Sequence, residues 1–146
     1  MKKLFLSIVV LGLLLGSKVY SDDVIGTKIV CAERWLQGTE ISTSKLPIDG
    51  YDFISKNKVI AYQMSDPGTG FYTNKKKYKL YYNEIEIKNS KGFYYNIDRT
   101  TGIRRANKLS GTDVLCKPIP SNKNMKKIFQ NIHKMRLKSL KQKQKF

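Results

Sequence analysis

Residues 78–117 decide the fold, and they read YKLYYNEIEIKNSKGFYYNIDRTTGIRRANKLSGTDVLCK. Apolar or aromatic residues recur at every second position in three segments of this stretch. A period of two places alternate side chains on opposite faces of a β-strand. The residues that share a face are Tyr78, Leu80 and Tyr82, then Ile85 and Ile87, then Phe93, Tyr95 and Ile97.

Glycines separate these segments at intervals of about ten residues, which is typical of short antiparallel strands joined by hairpins. If the apolar positions on both sides of a turn face the same way, the turn must contain an odd number of residues. Ser90-Lys91-Gly92 meets this condition as a turn with glycine in the left-handed position, and Thr100-Thr101-Gly102 can do the same.

The residues before this stretch predict further strands. Asp22 to Glu33 is rich in β-branched residues and predicts a first strand, and 59–64 predicts another. Between them, residues 35–49 predict a loop that contains one short strand near 39–42. Asp66-Pro67-Gly68 is a strong turn signal, because Pro presets φ and Gly accepts positive φ.

A last strand carries Val114, Leu115 and Cys116 and is stopped by Pro118 and Pro120. The total is seven or eight strands in residues 22–120, with no helical period among them. The sequence therefore predicts a mainly β domain, a small antiparallel meander that forms either a barrel or a sandwich.

After Pro120 the period changes to that of a helix, with a hydrophobic stripe on one side and lysines on the others. Asn122 or Asn124 can cap its start, and residues 141–145 are expected to fray. We expect residues 121–146 to form a basic amphipathic segment that is separable from the β domain. The stripe consists of Met125, Ile128, Phe129, Ile132, Met135 and Leu140.

Residues 1–21 resemble an export signal. Lys2 and Lys3 precede an apolar run from Leu4 to Leu15, and small residues precede Asp22, where cleavage is expected. The run is shorter than the roughly 20 residues that span a bilayer, although an uncleaved anchor helix is an alternative. The sequence therefore predicts an exported protein, either periplasmic or secreted, whose mature chain begins at Asp22.

The chain has two cysteines, Cys31 and Cys116, near the two ends of the predicted β domain. In an exported chain such a pair predicts a disulfide. Two buried free thiols are the alternative.

The formal net charge is +17, and residues 117–146 hold ten basic residues and no acidic one. Such a tail points to an anionic partner. The chain is also rich in Asn, Ile and Tyr, so a general compositional drift towards lysine explains the charge equally well. An anionic membrane surface and another envelope protein are the candidate partners. Lysines 75–77 among tyrosines are also typical of nucleic-acid platforms, but export argues against nucleic acid.

The sequence contains few residues that could form a catalytic site. His133 is the single histidine and lies in the basic tail, so neither a catalytic triad nor a zinc site can be assembled around it. Glu84 and Glu86 alternate with isoleucines, which indicates a solvated outer face. We therefore predict no enzyme activity, no cofactor and no metal.

Two groups of side chains remain as candidate binding residues. Arg99, Arg104 and Arg105 flank the turn at 100–102 and form a candidate anion site. The second group is a candidate membrane-surface helix, which combines basic residues with apolar ones. Its members are Lys126, Lys127, Phe129, Ile132, Lys134 and Arg136.

The run from Tyr94 to Gly102, followed by a strand that ends in Cys116, resembles a pattern in small uncharacterised exported bacterial β proteins. In that pattern an early strand carries one Cys, and a late Asp-Arg-x-Thr hairpin closes on a second. The resemblance implies an exported β domain and carries no function. Periplasmic inhibitors of c-type lysozyme are similar in size, signal and strand count, but their Ser-Gly inhibitory loop is not recognisable here.

The function that these observations favour is a non-enzymatic, exported binding or envelope-associated module. The alternatives are a protein that binds anionic membrane through its C-terminal helix and a protein similar to the lysozyme inhibitors.

Overall fold

The computed structural model describes residues 24–33, 35, 41–42, 46–65, 70–90, 92–107 and 113–144. These residues form eight strands and one helix. The elements are β1 (Lys28–Ala32), β2 (Ile48–Ser55), β3 (Lys58–Met64), β4 (Phe71–Leu80), β5 (Glu84–Ser90), β6 (Phe93–Asp98), β7 (Ile103–Ala106), β8 (Val114–Ile119) and α1 (Met125–Lys143).

The strands form a closed antiparallel barrel in which each pairs with its neighbours in the chain, and β1 closes the barrel against β8. The prediction of a mainly β fold with seven or eight strands is confirmed. Of the two architectures that the sequence left open, the structure is the barrel. The predicted signal peptide, residues 1–21, lies outside the described residues. Within the described ones, no helix combines the length and the apolar character needed to cross a bilayer.

The seam of the barrel carries the disulfide. Cys31 on β1 stands directly opposite Cys116 on β8, and the two are bonded. Both side chains belong to the interior core. The predicted pairing is confirmed, and it fits an oxidising compartment.

Two hairpin turns follow the predicted chemistry. Gly92 and Gly102 both adopt φ of 74°, the left-handed region that glycine favours. At the second turn, Oδ1 of Asp98 accepts hydrogen bonds from the backbone N of Thr100 and Thr101, each at 2.8 Å. An added Cβ at Gly102 would lie 2.5 Å from the carbonyl oxygen of Cys116, so this position requires glycine for space as well as for φ.

Strand β2 was not predicted, because its start lies in the stretch that the sequence indicated as a loop. A strand usually places apolar residues inside and polar residues outside, and the start of β2 inverts this pattern. Asp49 faces the barrel interior with Tyr51, whereas Ile48 and Gly50 face outward under the helix. Of the predicted short strand at 39–42, the structure describes Ile41 and Ser42, and Ile41 forms an isolated bridge with Trp35.

The other differences from the sequence are smaller. Strand β4 ends at Leu80, so Tyr82 does not share the face of Tyr78 but lies in the following turn, 77% exposed. The predicted turn at 66–68 lies outside the described residues. The strands that flank it, β3 and β4, pair as a hairpin would require.

Helix α1 packs on the outer face of β1, β2 and β3 and forms a second core there. Gly50 allows the close approach, because an added Cβ would lie 2.4 Å from Cε of Met125 and 2.6 Å from Cε2 of Phe129. The ring of Phe129 also packs between Tyr62 and Phe71, with centroids 5.5 and 5.7 Å away. The helix therefore shares a hydrophobic core with the barrel.

The buried face of α1 differs in part from the predicted stripe. Met125, Phe129 and Ile132 are buried as expected, but Arg136 is buried with them and Met135 is 49% exposed. Positions 125, 129, 132 and 136 follow one line on a helix of 3.6 residues per turn, and Met135 falls beside that line. Asn124 caps the helix by accepting from the backbone N of Lys127 at 3.1 Å. The helix continues through residues 141–143 instead of fraying there.

Candidate functional site

Strands β4 and β5 separate before either of them ends. The ladder between them stops at the pair Tyr78 and Ile87, although β4 begins at Phe71 and β5 continues to Ser90. In the part of the chain that is described, the first half of β4 therefore pairs with β3 alone. We call this opening the fork, and its sides are residues 71–77 of β4 and residues 88–89 of β5.

The alternation of backbone hydrogen bonds shows which groups point into the fork. The N–H of Tyr78 donates to Asn57 on the β3 side at 3.1 Å, and the N–H of Tyr81 donates to Glu84 on the β5 side at 2.9 Å. Successive residues of a strand direct their backbone groups to opposite neighbours. The N–H and C=O groups of Thr73 and Lys75 and the N–H of Lys77 therefore point into the fork.

The inner face of β4 becomes more exposed towards the fork. Tyr78 is 4% exposed, Lys76 is half-buried and Tyr72 is 48% exposed. All three face the barrel interior, because Tyr72 and Lys76 stand opposite Gln63 and Val59 of β3. The inner face of β4 is thus exposed beside the fork, while Asp49 and Arg104 remain buried in the interior.

Lys76 spans the fork from the inside. Its Nζ donates a hydrogen bond to Oδ1 of Asn89, which lies at an irregularity of the β5–β6 ladder between Lys88 and Ser90. Burial lowers the pKa of the Lys76 ammonium, and the attraction of Asp49 opposes this effect. The partner of this cation across the fork is a neutral amide, so an incoming carboxylate would stabilise it more.

Deeper in the barrel, Arg104 pairs with Asp49 and also donates to the Tyr51 hydroxyl at 3.0 Å. The guanidinium carbon lies 4.3 Å from the ring centroid of Tyr95, a cation–π geometry. Burial raises the pKa of the Tyr51 phenol well above its usual value, so this hydroxyl stays neutral. The ion pair of Arg104 with Asp49 is separate from the hydrogen bond of Lys76 to Asn89.

We expect replacement of Asp49 by Ala to lower the free energy of unfolding by about 3 kcal/mol, because Arg104 would remain as a buried, uncompensated cation. The double variant Asp49→Ala/Arg104→Met should recover most of this loss, since it removes both charges. Urea denaturation of the wild type, of Asp49→Ala, of Arg104→Met and of the double variant measures the coupling energy between the two side chains. Equal destabilisation of the single and double variants would contradict the assigned role of the pair.

A groove of about 170 Å³ lies on the outer side of the fork. Three lysines and one glutamate give its lining a net positive charge, and Lys75 is exposed close by on the same face of β4. The lining residues are Lys77, Tyr78, Lys79, Glu86, Lys88 and Tyr94.

The structure does not bring the three arginines of the predicted anion site together. Arg104 and Arg105 are neighbours on one strand, so they face opposite sides of the sheet. Arg104 is buried in the barrel, whereas Arg105 lies outside and pairs with Asp113 at 3.1 Å. Arg99 donates from its Nη1 to the carbonyl oxygens of Tyr81 and Tyr82, both at 3.1 Å.

The predicted membrane-surface residues are divided between two faces of α1. Phe129, Ile132 and Arg136 are buried, so this side is not available to lipid. The three lysines of the group, Lys126, Lys127 and Lys134, are exposed.

The remaining polar candidates lie apart from one another. Glu84 and Glu86 face outward, opposite Asp98 and Asn96 of β6. His133 lies beside Gly70, where an added Cβ would be 3.7 Å from its Nε2. Across the described ranges, no group of three or more His, Cys, Asp or Glu residues is placed to hold a metal.

Sequence reasoning missed the polar interior and the fork. Lysines 75–77 form a run in the sequence, but one of them, Lys76, has the inward parity of the buried Tyr78, and that parity is the available signal. Asp49 had no such signal, because its strand was not recognised. Asn89 lies at a local irregularity of the β5–β6 ladder. Residue types alone do not indicate where such an irregularity occurs.

Comparison of the chain with protein-family models, curated proteins and solved structures finds no match.

Proposed function

We propose that this protein is an exported, non-enzymatic binding module that engages another envelope protein at the fork. The observation that carries the proposal is the early end of the β4–β5 ladder at Tyr78 and Ile87. A closed barrel normally leaves no free strand edge, so a half-strand that no other described strand covers on its β5 side, beside a basic groove, is a surface suited to a partner.

Two further observations support the proposal. The Cys31–Cys116 bridge suits an oxidising compartment, in agreement with the export signal predicted in residues 1–21. The carboxylate of Asp49 is held by Arg104, so it does not serve as a free base. The charged groups of this end are arranged for recognition of an anionic partner.

Electrostatic attachment to anionic membrane is the second candidate function. It is favoured by the exposed lysines of α1, which include Lys126, Lys127, Lys134 and Lys138. The apolar side chains that would enter lipid, Phe129 and Ile132, pack against the barrel instead. Such binding would therefore depend on charge alone and would fade as salt screens it. Lysozyme inhibition gains no support from the described residues.

The test of the proposed function places a photo-crosslinking amino acid at Lys75 or at Lys88 in protein expressed with its leader. We expect recovery from outside the cytoplasm of a mature chain that begins at Asp22, with crosslinked adducts of one defined mass from both positions. Mass spectrometry measures the N-terminus and the adducts.

Lys123, an exposed residue that follows β8, four strands away from β4 around the barrel, is the matched control. The same adducts from position 123 would remove the fork from the proposal. Recovery only of the full-length chain in the membrane fraction would contradict export.

A further inference from the structure

The edge of β4 offers a template for strand pairing. The backbone groups of Thr73 and Lys75 and the N–H of Lys77 point into the fork, and no described strand pairs with them there, whereas the C=O of Lys77 belongs to the last pair of the β4–β5 ladder. Extended peptides bind such edges by adding a strand, in which backbone hydrogen bonds supply affinity and alternate side chains supply specificity. The geometry therefore favours an extended occupant over a helical or globular one.

The charges around this edge restrict the side chains of the occupant. An added strand would place alternate residues on the inside and the outside of the barrel. Those on the outside would meet Lys75 and Lys77 and, across the fork, Lys88. Those on the inside would meet Lys76, whose present partner is the Asn89 amide. Carboxylates are therefore favoured on both faces of the occupant.

A second copy of this chain does not meet the same requirement at this edge. Pairing of two β4 edges would place Lys75 and Lys77 opposite lysines of the other copy, and like charges opposite each other destabilise a sheet. The lysines thus disfavour self-association at the fork and favour an acidic partner.

We infer that the partner presents an acidic, extended segment, which adds as a strand to the free edge of β4 within the fork. This inference rests on the proposed function, because it specifies the chemistry of the partner that the fork engages.

The first experiment examines the free protein by amide hydrogen exchange. The amides of Lys75 and Lys77 should exchange fast, and those of Asn74 and Lys76, which face β3, should exchange slowly. Slow exchange at Lys75 and Lys77 in the free protein would show that another part of the chain already covers the edge, and that result would overturn the inference.

The second experiment measures binding of a synthetic peptide of about seven residues, the length of a typical strand. The peptide repeats Glu-Glu-Thr, so that both faces of the extended chain carry carboxylates, and has blocked termini. It is compared in low salt with versions that carry Gln for Glu or N-methyl groups on alternate amides. We expect the acidic peptide to bind and to protect Lys75 and Lys77 from exchange. The Gln version and the N-methylated version should each bind about tenfold more weakly, through lost charge and lost backbone hydrogen bonds respectively.

The protein variants are Lys75→Glu/Lys77→Glu at the fork and Lys126→Glu/Lys127→Glu on α1, which change the net charge equally. The fork variant should lose about tenfold or more in affinity for the acidic peptide, and the helix variant should keep it within about twofold. Equal losses in both variants would show a general charge effect and overturn the assigned site. Equal binding of the N-methylated peptide would overturn strand addition.

The outcomes also separate this inference from the proposed function. If the acidic peptide does not bind while crosslinks at positions 75 and 88 still form, the fork is a binding site whose partner has another chemistry, and the inference is overturned alone. If vesicles of anionic lipid bind in its place and the fork variant abolishes that binding, the occupant is a lipid surface, which also overturns the acidic-segment inference.

Discussion

Removal of residues 121–146 is expected to unfold the barrel. Helix α1 supplies Met125, Phe129 and Ile132 to a shared core, at 2%, 0% and 3% exposure. The loss of each large buried side chain costs about 2 to 5 kcal/mol, and together they approach the roughly 5 to 15 kcal/mol by which a whole domain is stable. Truncation would also expose Val30, Ile48 and other outer-face residues of the barrel.

Circular dichroism and urea titration of the truncated chain measure this effect, with a chain that ends at Leu140 as the control. The control lacks only residues 141–146, of which 141–144 are exposed, so it should unfold like the wild type. Phe129→Ala alone should lower the free energy of unfolding by about 4 kcal/mol. A truncated barrel with an unchanged cooperative transition would show that α1 contributes little, as the sequence alone had suggested.

The late strands could be predicted from the sequence because their interior is apolar. Ile85, Ile87 and Ile97 are all buried on one face, so the alternation of residue types reports the alternation of environment. Gly92 and Gly102 then mark the turns, because each requires positive φ. This part of the fold is consistent at the levels of pattern, turn chemistry and packing.

Strand β2 could not be predicted because both of its faces break the usual pattern. Asp49 is buried inside because Arg104 neutralises it, and Gly50 is buried outside because α1 covers it. Both conditions come from residues distant in the chain. The same reasoning explains the arginines: the sequence grouped Arg99, Arg104 and Arg105 by proximity in the chain, whereas strand parity separates them.

The fork was beyond sequence reasoning for a different reason. Period two predicts the strand that carries Tyr78 and Leu80, but it indicates neither that this strand begins at Phe71 nor how far the neighbouring strand stays paired. The separation of β4 from β5 coincides with the irregularity at Asn89, and such features re-aim a strand near a site. The sequence signal of the fork is a lysine at position 76, which faces the barrel interior.

Loss of the disulfide is expected to lower the melting temperature by about 15 to 20 °C. The bridge joins residues 85 apart, and the chain-entropy model assigns roughly 4 to 5 kcal/mol to a loop of this length. For a domain of this size, each kcal/mol shifts the melting temperature by about 4 °C. Calorimetry of Cys31→Ala/Cys116→Ala and of the wild type in dithiothreitol should agree, because both lack the cross-link.

The barrel should then open at a defined place. Strand β8 pairs with β7 at only two positions, Ile103 with Leu115 and Arg104 with Val114, so its attachment depends mainly on β1 and on the bridge. Amide exchange after reduction should therefore accelerate first in β8, while β5 and β6 keep their protection. Uniform acceleration across all strands would show that the bridge stabilises the whole domain without local effect. Two freely alkylated thiols in native exported protein would contradict the bridge itself.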